Sequence, residues 1–309
     1  MKNRFTFLIC LLGLMSIYSS GTCEKLPDLI ERINRGRVNW TKGVVQATGI
    51  NIPDNRDFNI PVNRQKALAA ATQVAFDELL NIIKMIKINN EIKIGDLDAK
   101  NKVIIEKIGH MTRDAKIIEQ KYLTDGKVEV TVQMDLRGGF AQLVLPEDIK
   151  QIDDIKVIKS PQKNNPSSTL KSGPVYPLEK NDVFTGLIID ATGINTAPSM
   201  VPVVLDENGR KVFGPAFMSR ESAVQFGAVA YEKDIPNAKE NPRVGTNPLV
   251  VKGLRTEGAG FTNIIISNSD ALILRTKPEY LTFLKKCRVV IVIEDLRKQT
   301  DKVSDSKKG

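Results

Sequence analysis

Reactive side chains are few in this 309-residue sequence, and each has a plainer role available. Ser219-Arg220-Glu221 sets a hydroxyl beside an acid, but it has no nearby histidine and no Gly-x-Ser-x-Gly elbow. Capping a helix over 220–230 explains the same serine. Gly258-Ala259-Gly260 has part of the spacing of a phosphate cradle. A nucleotide site needs a helix N-terminus after such glycines, and the run 263–267 that follows reads as a strand. Asp206-Glu207-Asn208-Gly209 offers two carboxylates without the alternating ligands of a calcium loop, and Asn-Gly is a hairpin-turn signature. His110, the single histidine, follows Gly109 at an expected helix end, where a cation offsets the terminal carbonyls. One imidazole leaves little for histidine metal sites or for Ser-His and Cys-His pairs. Asn39-Trp40-Thr41 matches a glycosylation acceptor within strand-like sequence, where chance accounts for it. The expectation is no catalytic, cofactor-binding or metal-binding residue and a non-enzymatic protein. The alternative is a secreted enzyme acting through Asp and Glu side chains on an unknown substrate.

Cysteine chemistry depends on the first segment. Lys2 and Arg4 precede an apolar run over 5–14, and Ser19, Ser20 and Gly21 supply small residues for cleavage, so 1–21 reads as a signal peptide. The run falls short of the ~20 residues that span a bilayer. Secretion across the inner membrane, to the periplasm or to an outer-membrane-associated position, follows. Cys23 and Cys287 remain after cleavage. Lipidation of Cys23 is one alternative, although Thr22 and Ser20 fit the lipidation pattern poorly. A Cys23–Cys287 disulfide is another, permitted by an oxidising compartment, and a buried reduced Cys287 is the favoured state.

The positioning elements are those of an ordinary folded protein. Hydrophobic residues make up 41% and charged residues 26%, which excludes a mainly disordered chain and a polytopic membrane protein. A net charge of +9 favours anionic partners, but the basic residues are scattered and aromatics are only 6%, so nucleic-acid binding is not expected. A helical segment at 27–34 and a strand over 38–48 lead into the longest helix, 64–87, with Asn63 as cap. Leu68, Ala71, Ala75, Leu79, Ile82, Ile83 and Ile86 line one face of that helix. A second helix is expected over 97–108. Strands at 116–123 and 127–136 form a hairpin about Thr124-Asp125-Gly126, with Val128, Val130, Val132, Met134 and Leu136 on the apolar face. The stretch 159–182 is rich in Pro, Ser and Asn and reads as a linker. Beyond it strands are expected at 183–191, 201–205, 211–213, 249–254, 263–267 and 288–293, with helices at 220–230 and 277–285. Ala-Thr-Gly-Ile-Asn occurs at both 47–51 and 191–195, which raises a duplicated unit against a coincidence of strand and turn. The fold class is α+β in two domains, 22–158 and 183–295, each an antiparallel or mixed sheet covered by helices, with a charged tail at 296–309.

Val38-Asn39-Trp40 through Ala47-Thr48-Gly49, then 64–71 and the alternating strand at 127–136, resemble the LPP-twenty envelope lipoprotein family. The same strand–helix–sheet plan is similar to the N-terminal domain of the flagellar T protein. The resemblance covers about residues 36–140, and 182–270 looks like the second half of longer uncharacterised members. It implies an envelope protein without enzymatic activity, partnered by envelope proteins or outer-membrane components and able to touch the membrane peripherally. The weak lipidation pattern at Cys23 departs from that family.

Overall fold

The computed structural model describes residues 28–52, 61–97, 101–124, 126–149 and 183–294. The signal peptide, Cys23, the linker and the charged tail lie outside them.

The first half is an antiparallel sheet under a long helix. Strands β1 (Ile30–Ile33), β2 (Gly36–Asn39) and β3 (Val44–Asn51) precede helix α1 (Pro61–Met85), a 3-10 turn (Ile94–Leu97) and helix α2 (Lys102–Arg113). Strands β4 (Lys116–Tyr122) and β5 (Val128–Asp135) and the short helix α3 (Gly139–Val144) follow. The sheet order is β1-β2-β3-β5-β4. β3 and β5 pair over their full length, from Val44 opposite Asp135 to Asn51 opposite Val128. The alternating side chains of β5 bury Val128, Val130, Val132 and Met134 beneath α1, as a one-sided sheet requires. Their partners on α1 are Ala67, Ala71, Ala75, Leu79, Ile82 and Ile83; Leu68, placed on this face by the sequence pattern, is half-buried.

The run of alanines has a geometric cause. A Cβ at Gly49 of β3 would lie 2.8 Å from Ala75 Cα and closer still to Ala71 O and Ala75 N. The helix therefore rests directly on the strand here, and only small residues fit between them.

Several expectations are corrected. Residues 30–33 form a strand instead of a helix, because four residues pairing with β2 outweigh a helix too short to sustain itself. Asn34, at φ 48°, makes the tight turn between them. The strand expected over 38–48 is two strands, β2 and β3, joined by a turn. Helix α1 starts at Pro61, whose missing N–H suits a first helical position, so Asn63 sits within the first turn and is not the cap. The second helix is shifted to 102–113: Asp96 accepts from Lys93 N at 2.7 Å and closes a separate turn instead of capping it.

The second half is a mixed sheet. Its strands are β6 (Gly186–Asp190), β7 (Val204–Asp206), β8 (Lys211–Phe213), β9 (Ala230–Glu232), β10 (Pro248–Glu257), β11 (Asn263–Ile266) and β12 (Val289–Val292). Its helices are α4 (Arg220–Phe226), α5 (Ile235–Glu240), α6 (Asn268–Thr276) and α7 (Pro278–Lys285), with a 3-10 turn at Pro215–Phe217. The order is β8-β7-β11-β10-β6-β12-β9. β6 lies parallel to both β10 and β12, and β12 is parallel to β9. Every residue of β12 is buried, the continuous apolar run of a strand covered on both faces. Leu187, Ile189, Val289 and Ile291 join the main core with Tyr280, Phe283 and Leu284 of α7. Ile188, Val290 and Val292 face Ala238 of α5 in a second cluster.

The fold is thus α+β in two domains, and the pentapeptide repeat is not repeated structure. The first copy lies inside antiparallel β3, whereas Gly193 of the second, at φ 80°, turns the chain after parallel β6.

The halves share one core, which runs unbroken from Leu29 to Ile293. Met200 N donates to Lys87 O at 2.9 Å and Val201 N to Ile88 O at 2.7 Å. Trp40 and Tyr231 meet edge to face with ring centroids 5.6 Å apart. Arg220 Nη1 reaches Pro146 O and its Nη2 reaches Gln142 O, both at 2.8 Å, closing the carbonyl end of α3 from across the junction. No helix among the described residues is long and apolar enough to cross a membrane.

Candidate functional site

Each reactive run singled out in the sequence has a structural occupation. Ser219 caps α4: its Oγ accepts from Ser222 N at 3.2 Å and donates to Ser222 Oγ at 2.8 Å. Gly258-Ala259-Gly260 is the turn between β10 and β11, packed on Asn90 of the first half, whose backbone leaves no room for a Cβ at Gly260. Both ends of the Asn39 amide are engaged, Nδ2 with Asp28 at 2.8 Å and Oδ1 with Lys42 N at 3.0 Å, so the acceptor motif is buried structure. His110 is exposed in the last turn of α2, with Gly109 inside the helix and not at its end.

Asp206 ends β7 and has no solvent exposure. Its carboxylate accepts from Asn208 N, Arg210 N, Arg210 Nε and Arg275 Nη1 at 2.8 to 3.0 Å. The two arginines, themselves partly exposed, lie over it and shield it one layer beneath the surface. Burial pushes its pKa up, but the backbone N–H of Arg210 and the two guanidinium groups outweigh that and hold it at about 2. The turn is thus fastened by ion pairs. Among the described residues no group of three His, Cys, Asp or Glu side chains converges.

The junction of the halves holds a cleft of about 580 Å³ lined by Arg137, Arg243, Lys286, Arg288, Glu221 and Phe226, among others. Arg243 is its innermost cation. Its Nη1 donates to Gly227 O at 2.9 Å and Cys287 O at 2.8 Å, and its Nη2 donates to Phe226 O. Burial pulls its pKa down to about 10. These carbonyls belong to the C-terminal ends of α4 and α7, so the positive charge offsets the partial negative charge of two helix ends. Arg137 is held by Asp135 in a two-point contact at 2.9 and 2.7 Å. Glu221 is the carboxylate among the residues that line this cleft.

Cys287 follows α7 at φ 55°, fully buried, as a free thiol. Burial pushes its pKa up to about 12 against the opposing field of Arg243. The lipidation and the disulfide raised as alternatives for Cys23 concern a residue outside those described.

Among the described residues, one strand stands at an uncovered sheet end. β4 ends the first sheet, all seven of its residues are exposed, and among the described residues only β5 pairs with it. Ile117, Ile118 and Tyr122 are 38%, 40% and 51% exposed. The other sheet ends are less available: β1 is mostly half-buried, while β8 and β9 have three residues each. Short edges are a usual protection against strand addition, and a seven-residue edge with three large apolar side chains lacks it. Beside β4, on the sheet face away from α1, lies a shallow polar groove lined by Arg32, Arg37, Glu119, Lys121 and Glu129. The openness of β4 and the role of Arg243 escape a sequence reading. The apolar content of 116–122 is visible there, but its position at the end of a sheet is not.

No curated protein matches the chain. Residues 186–295, from the first residue of β6 to just beyond β12, match the family of the second domain of Treponema pallidum Tp0624.

Proposed function

We propose that this is a non-enzymatic component of the cell envelope, secreted across the inner membrane to the periplasm or the outer-membrane surface, that works by docking to other envelope components. The edge of β4 carries the reading: its seven residues are exposed, β5 alone pairs with it among the described residues, and Ile117 and Ile118 offer apolar side chains to an extended partner segment. The leader-like first segment, the net charge of +9 and the resemblance of 36–140 to an envelope family support the location. Photocrosslinkers placed at Ile118 on the edge and at Lys66 on α1, in cells that produce the protein, test it. Adducts to envelope proteins identified by mass spectrometry, formed at Ile118 and not at Lys66, are expected. Equal labelling at the two positions, or none at Ile118, would overturn the role of the edge.

A further inference from the structure

We propose that the occupant of the β4 edge is a second copy of the same strand, running antiparallel about a two-fold axis through Gln120 and joining two five-stranded sheets into one of ten. The inference rests on the reading of β4 as the contact surface and names its partner.

The register of β4 on β5 fixes which side chains a second copy would meet. Pairing with β5 assigns each residue of β4 to a face: Gln120 and Tyr122 lie opposite Val130 and Val128 on the helix side, while Glu119 and Lys121 lie opposite Thr131 and Glu129 on the other side. The register shifts between Ile117 and Glu119, so Ile118 is the extra residue of a bulge. A two-fold axis that extends the sheet must pass through a residue, because an axis between residues would set opposite faces together. Centring on Glu119 places two carboxylates face to face. Centring on Lys121 does the same with two ammonium groups. Centring on Gln120 sets Glu119 of each copy opposite Lys121 of the other, twice by symmetry, and the bulge leaves Ile118, on the face of Glu119 and Lys121, outside the matched register.

Directly opposite residues have Cβ atoms about 4.5–5.5 Å apart, within reach of an ion pair. Within one chain Glu119 and Lys121 pair with each other at 2.9 Å along the strand, each about half exposed. The exchange replaces the one such pair in each copy with two across the interface. Lysines and a bulge are devices that keep an edge from pairing indiscriminately. On β4 they reject the neighbouring registers and leave one that is self-complementary.

Sedimentation equilibrium of the purified chain, with charge-exchange variants, tests this. The chain is expected to dimerise reversibly. Glu119→Lys, which sets like charges opposite each other twice, should weaken the dimer about tenfold or more. Glu119→Lys with Lys121→Glu restores the alternation in reverse and should return the affinity to within about threefold of the original. Gln120→Cys, in a Cys10→Ser, Cys23→Ser background, should oxidise to a covalent dimer, since symmetry places the two thiols opposite each other at disulfide distance. Cysteine at Lys107 on α2 should not. A chain that stays monomeric at all concentrations, or a dimer indifferent to Glu119→Lys, overturns the second copy as occupant. If Ile118 then still crosslinks other envelope proteins, the docking role survives. If it crosslinks nothing, both fail.

Discussion

Replacing Gly49 by alanine adds one carbon where α1 rests on β3. That Cβ would lie 2.8 Å from Ala75 Cα and closer to Ala71 O and Ala75 N, all backbone. No rotamer change relieves such a clash, so the helix must lift, loosening Leu79, Ile82 and Ile83 along the same face. Overpacking a core costs about 1–3 kcal/mol, and a clash with backbone belongs at or above the top of that range. A loss of about 3 kcal/mol corresponds to a fall in Tm of roughly 6–12 °C for a chain of this size class. The control is Gly193, which occupies the same place in the second Ala-Thr-Gly-Ile-Asn. It has φ 80° and nothing within 4 Å of an added Cβ, so Gly193→Ala meets only the left-handed backbone penalty of about 1–2 kcal/mol. Gly193→Asn should recover part of that, since asparagine tolerates this conformation. Urea denaturation of the three variants gives the comparison. Equal losses for the two alanine variants would refute the claim that Gly49 is fixed by contact with the helix.

Leu79→Ala, at a fully buried position on α1, should cost about 2–5 kcal/mol in urea denaturation, whereas Lys66→Ala on the exposed side should cost almost nothing. Asp206, held at about 2 in the fold against about 3.9 in an unfolded chain, contributes stability that is fully present above pH 4 and is lost as pH falls through 2. The acid limb of the urea midpoint between those values should therefore flatten in Asp206→Asn. Cys287, buried with its pKa pushed up to about 12, should resist thiol alkylation at pH 8 until the chain is unfolded, as read on its own peptide by mass spectrometry. A fragment spanning 22–158 should bind a hydrophobic dye and melt below the full chain, because Trp40, Phe140 and Val144 belong to a core shared with the second half.

What the sequence displays best is local periodicity with a single cause. β5 alternates because one face is wet, and α1 repeats at three and four residues because one face is covered; both are legible. So is the Ser219 cap, a short-range contact. Helix α6 is harder, since Leu272 is 63% exposed and only Ala271 and Leu274 are buried, which leaves no clear stripe. Its signal was the cap: Ser267 Oγ accepts from Asp270 N at 3.1 Å and donates to Asp270 Oδ2 at 2.8 Å. Helix α5 had the same kind of marker in Asp234, which accepts from Asn237 N at 2.8 Å. The open edge of β4 has no local marker. Ile117, Ile118 and Tyr122 would look the same in a central strand, and it is the order of the strands that puts them at a sheet end.

The junction sets the geometry in which that edge is presented. Few contacts were to be expected across a Pro-rich connection, yet the halves exchange backbone hydrogen bonds at Lys87 and Ile88, carbonyl caps through Arg220, and the Trp40–Tyr231 ring contact. Arg243 adds a tie within the second half, binding the C-terminal ends of α4 and α7 beside the cleft. Such contacts are directional and most are at least part-buried, so they orient the first sheet relative to the second. β2 and β3 lie against this junction through Trp40 and Thr41, which donates to Tyr231 O at 2.9 Å, whereas β4 is the strand at the opposite end of the sheet from β1 and β2. The proposed pairing at β4 therefore lies at the far end of the sheet from the contacts that hold the halves together.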